Sequence, residues 1–194
     1  MAVAKKFLFI DRDGTIINEA PPTYQIDDFS KLSFYPMVFQ FLKKIVDLDE
    51  YGLVMITNQD GLGSETFPLA NFQPVHDFII QAFEGEGIHF EEVLIDVTFP
   101  AENAATRKPQ TGLVKHYIDN DSVDLENSFV IGDRITDIQL AKNLGCKGIW
   151  LNVEEGLGAV EISDTIEELR KETIALETKE WEDIWKFLEG KCEA

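Results

Sequence analysis

Two aspartates one residue apart, Asp11 and Asp13, follow the apolar run Phe7-Leu8-Phe9-Ile10. A carboxylate placed like Asp11 can attack phosphorus and form an aspartyl-phosphate. A second carboxylate two residues on, Asp13, can protonate the departing oxygen and later deprotonate the water that cleaves the intermediate. Attack by an anion on an anionic phosphate is slow unless the charge is neutralised. Asp133, after Phe129-Val130-Ile131-Gly132, adds another carboxylate. Asp11, Asp133 and the backbone carbonyl of Asp13 then form an oxygen set suited to magnesium. Thr57 and Asn58, at the end of Leu53-Val54-Met55-Ile56, offer donors to phosphoryl oxygens, and Lys108 adds positive charge. Asp137, one helical turn beyond Asp133, is expected to orient the lysine or a water on the metal. Gly14 lets the backbone approach closely. A lone strand-end aspartate commonly caps a turn or helix. Four such segments in order, each after its own apolar run, point instead to a shared site.

The elements that must position these residues alternate. Short continuous apolar runs read as parallel strands buried on both faces: Phe7 to Ile10, Leu53 to Ile56, Val93 to Ile95, Phe129 to Ile131 and Gly148 to Leu151. Helical spacing recurs over Pro36 to Leu48, Asn71 to Phe83, Leu113 to Ile118, Ile135 to Leu144 (stopped by Gly145) and Lys179 to Leu188. The series predicts an α/β fold, Rossmann-like and doubly wound, with a mostly parallel sheet. In such sheets ligands bind beyond the carboxyl ends of the strands, where the aspartates and Thr57 fall. Residues 152–178 are acidic and read as solvated surface with one helix from Ile162 to Leu176. Trp181 and Trp185 share a helix face and are expected to pack on the sheet. Phe7 and Phe9 belong to the expected core. His76, His89 and His116 lie outside the strand-end motifs and read as surface or helix-packing residues.

The chain has 194 residues, 36 acidic and 17 basic, for a formal net charge of -19. Its length fits a single domain over residues 1–194. That charge argues against a nucleic-acid partner, since strands are bound by neutralising their phosphates with Lys and Arg. A small phosphorylated molecule is compatible, because local cations or a metal can reverse the sign inside one pocket. No apolar run is long enough to span a membrane. The N-terminus carries no signal-peptide pattern, and Cys146 and Cys192 form no close pair, so a cytoplasmic location is expected.

The motifs together resemble the haloacid dehalogenase superfamily of phosphatases. FIDRDGT, MITNQDGLG, RKP and VIGDRITDIQLA are similar, more narrowly, to histidinol-phosphate phosphatases. That family often forms one half of a bifunctional enzyme of histidine biosynthesis. The resemblance implies a minimal cap and hydrolysis of L-histidinol phosphate to L-histidinol and phosphate. It also implies a possible fusion or association with imidazoleglycerol-phosphate dehydratase. The substrate's phosphate would then meet Asp11, the metal, Thr57, Asn58, Arg107 and Lys108. Its cationic end calls for a carboxylate, and Glu19 follows the nucleophile motif closely enough to supply it, with Gln25, Asp27 and Asp60 as weaker candidates. Arg12 and Arg134, inside the motifs, can equally form structural ion pairs.

The chain departs from the family pattern in one place. Relatives of this type commonly hold a structural zinc before the RKP segment through cysteines and a histidine, but residues 96–106 contain neither. No structural zinc is expected. Packing of Phe99 and Pro100, with hydrogen bonds from Asp96, Thr98, Asn103 or Thr106, should hold the loop instead. Two other readings remain open at this level. Heptose-bisphosphate phosphatases share DRDGT and TNQ, which keeps sugar bisphosphates as substrates. Receiver-like signalling modules also combine a phosphoacceptor Asp with a Thr and a Lys; Asp13, which speeds loss of the phosphoryl group, is the feature against them.

Overall fold

The structure, a computed structural model, describes residues 4–192. Six strands form one wholly parallel sheet. They are β1 (Lys6–Ile10), β2 (Tyr51–Asn58), β3 (Glu92–Asp96), β4 (Phe129–Gly132), β5 (Lys147–Leu151) and β6 (Ile174–Thr178), in the order β3-β2-β1-β4-β5-β6. The helices are α1 (Val38–Val46), α2 (Leu69–Gly85), α3 (Lys115–Ile118), α4 (Ile135–Leu144), α5 (Ile166–Glu172) and α6 (Trp181–Cys192).

Side chains on a strand point alternately to the two faces, so each apolar run feeds two cores. Leu8, Ile10, Leu53, Met55, Phe129 and Ile131 join α1, α2 and α6 in one cluster. Phe7, Phe9, Val54, Ile56 and Val130 meet Tyr117 of α3 and Leu140 and Leu144 of α4 on the opposite face. Two-sided burial explains why these strands read as unbroken apolar stretches. β1 pairs with both β2 and β4, so the strand order turns at β1 and β4. That turning point opens the crevice at which Asp11 and Asp133 emerge.

One element differs from expectation. The helix expected over residues 162–176 is instead the short α5 followed by the edge strand β6. Thr165 caps α5 reciprocally with Glu168, and Thr173 leaves the helix at φ -120. Ile174 to Thr178 then pairs with β5. Ile162, Ile166 and Ile174 pack beside the buried Leu169, so apolar spacing continues across the junction and imitates one long helix. α4 ends at Gly145 with φ 81, the left-handed stop its sequence announced. Among the described residues, no helix is long and apolar enough to cross a membrane.

Candidate active site

Asp11 leaves β1 with its backbone N–H donating to the Ile131 carbonyl at 2.9 Å, so the ladder to β4 extends to the aspartate itself. The chain then turns tightly: the Arg12 carbonyl accepts from Ile16 N at 3.0 Å, and Gly14 sits at φ +79. A Cβ on Gly14 would lie 2.2 Å from an Asp133 carboxylate oxygen, so a side chain there would fill the space between the two acidic loops. Two buried indoles hold these loops from behind. Trp150 donates to the Asp133 carbonyl at 2.8 Å and Trp181 to the Thr15 carbonyl at 3.0 Å.

Lys108 is the hub of the site. Its ammonium donates to Asp11 Oδ1 at 2.5 Å and the Ile56 carbonyl at 3.0 Å, and pairs with Asp137 Oδ1 at 2.8 Å. Asn58 fixes the lysine's backbone from both sides, accepting from its N–H and donating to its carbonyl at 3.1 Å each. Asp137 also accepts from the Arg134 N–H at 3.2 Å, which caps α4 and fixes the carboxylate over Gly132. Asp137, expected to orient the lysine or a water on the metal, thus lies in ion-pair contact with the lysine.

Asp11, Asp133 and Asp137 each bring a carboxylate oxygen within 4.8 Å of the others, all of them buried. Burial, then the charges of Asp11 and Asp137, push Asp133 well above the ordinary carboxylate range. Burial raises Asp137 to about 6 even though Lys108 opposes it. Burial pulls Lys108 downward, but Asp11 and Asp137 more than offset this and keep it charged. Asp133 Oδ1 is buried without a hydrogen-bond partner. This excess of buried negative charge and the unpaired oxygen fit a hard divalent cation with oxygen ligands.

A pH-dependent response follows from these shifts. A carboxyl raised on folding contributes stability that is present at low pH and lost as pH climbs through its folded value. For Asp137 that loss is complete above about 6. A cation replaces the lost proton, so magnesium added to the metal-free protein should raise Tm more above pH about 6 than below it. Thermal melts with and without magnesium on both sides of that pH check this; an equal gain on both sides would remove the argument.

The cavity over this cluster holds about 390 Å³. Asp13, Thr57, Asn58 and Glu19 line it with Asp11 and Lys108. Burial raises the Asp13 carboxyl against the opposing charge of Arg12, which suits a group that must carry a proton. Arg12 is fully buried, with its guanidinium 4.7 Å from the Phe72 ring and 3.4 Å from Asp13 Oδ1. His76 stacks on Phe72 in the same layer, and burial, then Arg12, lower it to about 4. It is a packing residue.

Glu19 reaches the cavity through an ion pair, its Oε1 accepting from Arg134 at 2.5 Å. Gln25 also lines the cavity, whereas Asp27 pairs with Lys31 at 2.5 Å. Arg107 lines the cavity too, but its guanidinium is already engaged. It donates to Asp60 at 2.5 and 3.3 Å, to Glu161 at 3.1 Å and to the Thr98 carbonyl at 2.9 Å. Its charge therefore ties three loops together rather than standing free for a phosphate.

The segment before it is held by Asp96. Oδ1 accepts from the Thr98 N–H at 2.9 Å and hydroxyl at 2.6 Å, and Oδ2 from the Thr106 hydroxyl at 2.6 Å. Asn103 donates only within the loop, and Pro100 is exposed. Phe99 is half exposed, yet its ring covers Gly61. Hydrogen bonds to one buried carboxylate, more than the expected Phe99 and Pro100 packing, thus shape this segment. Gln59, like Thr136 and Glu161, lines the cavity although sequence reasoning gave it no role. It sits between Asn58 and Asp60 in TNQDG, and its only signal was membership of that motif.

The family model of polynucleotide kinase 3 phosphatase matches residues 6–148. Histidine biosynthesis bifunctional protein HisB of Bacteroides fragilis is 48% identical over 185 residues, which cover 95% of this chain and 47% of that protein. The protein of the same name from Spirosoma linguale is 46% identical over 186 residues, covering 95% and 48%. The chain thus spans about half the length of these curated relatives. Among solved structures, a D,D-heptose 1.7-bisphosphate phosphatase from B. bronchiseptica, complexed with magnesium and phosphate, aligns with TM-score 0.75 at 20% identity over 96% of this chain and 99% of that one. A putative HAD-like phosphatase from Mesorhizobium loti aligns with TM-score 0.74 at 20% identity over 98% and 88%. At these identities the structural likeness speaks for a shared fold.

Proposed function

We infer that this chain, which belongs to the polynucleotide kinase 3 phosphatase family, is a phosphomonoester hydrolase acting on L-histidinol phosphate. The observation that carries the reading is one cavity holding Asp11 against Lys108, Asp13 beside them, and Glu19 among its lining residues. The names of the relatives support histidine biosynthesis as its setting. The net charge of -19 favours a small phosphorylated metabolite over a nucleic-acid end.

In the first step an Asp11 carboxylate oxygen bonds to phosphorus as the ester oxygen departs, and Asp13 delivers its proton to that oxygen. In the second, Asp13 takes a proton from water, the water oxygen bonds to phosphorus, and the Asp11–phosphorus bond breaks. Lys108, 2.5 Å from Asp11 Oδ1, holds the nucleophile in place and offsets its charge. The Thr57 hydroxyl and the Asn58 backbone N–H donate to phosphoryl oxygens, where charge grows. A magnesium ion held by Asp11, Asp133 and the Asp13 carbonyl would supply neutralisation of the phosphate's charge. Arg107 contributes at the rim as the clasp that shapes the cavity. With Glu19 Oε1 held by Arg134, its Oε2 receives the amine or imidazole of the substrate.

Residues 1–194 act as one cytoplasmic phosphatase domain on this reading. The corresponding region of the relatives belongs to proteins about twice as long, consistent with fusion to the dehydratase that the resemblance implies. Phosphate release from histidinol phosphate with magnesium, compared with sugar phosphates at equal concentration, tests the substrate. Fastest turnover of histidinol phosphate is expected; activity on a sugar bisphosphate alone would overturn the assignment.

Glu19→Gln sharpens the test. Losing a charged hydrogen-bond partner costs about 1.5–3 kcal/mol. KM for histidinol phosphate should therefore rise roughly tenfold or more. Turnover of para-nitrophenyl phosphate, which has no cationic tail, should stay near wild type. An unchanged KM would remove Glu19 from the substrate's cationic end.

A further inference from the structure

We propose that Gln59 is a positioning residue for proton transfer, its side-chain amide setting the Asp13 carboxylate and the Thr57 hydroxyl in their working directions. The proposal rests on the phosphatase reading above. Gln59 is 3% exposed, and its backbone N–H donates to the Asp96 carbonyl at 2.7 Å, so the residue has little freedom. Its Nε2 donates to Asp13 Oδ2 at 2.5 Å and to Thr57 Oγ1 at 2.9 Å.

The chemistry of these partners fixes the sense of both bonds. With its proton turned to the leaving group, Asp13 can only accept at the oxygen that faces Gln59, so the amide turns its NH2 toward Asp13. That NH2 carries two hydrogens, and the second is directed to Thr57. The Thr57 oxygen then acts as an acceptor, and its own hydrogen is left to point at another oxygen. In the cavity that oxygen belongs to the phosphoryl group. One amide thereby aims a proton carrier and a phosphate donor together. Arg12 lies 3.4 Å from Asp13 Oδ1 over the face of Phe72, an ion-pair contact in which Oδ1 accepts no hydrogen bond, so the amide of Gln59 is what fixes the carboxyl's direction.

Asp13 matters to the first step in proportion to how badly the leaving group needs a proton. An alkoxide needs one; para-nitrophenolate leaves without it. Gln59→Met keeps the volume and removes the donor. In this variant kcat/KM, which reports the steps up to departure of the alcohol, should fall about 100-fold for the alkyl ester glycerol phosphate. For para-nitrophenyl phosphate it should fall by only about fivefold, from the weakened Thr57 contact. Gln59→Glu, which sets a carboxylate against Asp13, should show the same split, with Tm of both variants confirming the folded state. Equal losses on the two esters would mean a structural role and overturn the proposal, as would no loss on either. A wild-type chain that hydrolyses neither of these esters nor histidinol phosphate would overturn the phosphatase reading itself, a result distinct from either of these.

Discussion

Asp11→Asn is expected to reduce phosphate release on the order of 10⁴-fold or more, as removal of a nucleophile does in other covalent enzymes. Asparagine preserves the shape and leaves Asp13, Asp133 and Asp137 in place. Its amide oxygen carries no full charge and yields no stable acyl-phosphate. The amide oxygen can take the place of Oδ1, 2.5 Å from the Lys108 ammonium, while its NH2 takes that of Oδ2 and donates to the Thr15 hydroxyl oxygen, 3.3 Å away, so the fold should persist. Acid-quenched protein should hold covalent phosphate in the wild type and none in the variant. Activity within tenfold of wild type would overturn the covalent mechanism.

Lys108→Met should injure both stability and chemistry. The lysine is buried between Asp11 and Asp137, and breaking a buried pair by removing one partner costs about 3–5 kcal/mol. Denaturant unfolding of the metal-free protein near neutral pH should show a loss of that order. The loss should shrink as pH falls toward about 6, because Asp137, no longer held down by the lysine, takes up its proton above that value in the variant. kcat/KM should drop by about 10²–10³, the usual scale for one electrostatic stabiliser of the reacting group. A variant as stable as wild type near neutral pH would show that the two carboxylates do not depend on this cation.

The parts of the molecule visible in the sequence are those with a local signal. β1, β2, β4 and β5 are buried on two faces, and that burial writes itself as unbroken apolar runs. Asp11, Thr57 and Asp133 were legible because each ends such a run at the side of the sheet where ligands gather. β6 was not, because an edge strand half open to water carries Glu177 among its apolar residues and follows α5 without a break in spacing. The engagement of Arg107 was hidden for a different reason. Asp60 and Glu161 lie 47 and 54 residues from it, and no periodicity marks contacts at that range. The same holds for Trp150 and Trp181, whose apolar packing was expected but whose indole N–H groups brace the acidic loops. Gln59 lay inside a legible motif, yet its grip on Asp13 depends on a side-chain direction that type and position alone do not disclose.

The ladder between β1 and β4, carried on from Ile10 to the Asp11 N–H, gives the molecule a division of labour. The spacing of nucleophile and opposing carboxylate is set by adjacent rungs of a sheet, whereas Glu19 comes from a loop held by its pair with Arg134, and Asp60 and Glu161 from loops joined through Arg107. Selection can rewrite the second group without disturbing the first. The architecture separates what is done to a phosphate from which phosphate is admitted, so new specificities are reached by changing the rim while the reaction is inherited intact.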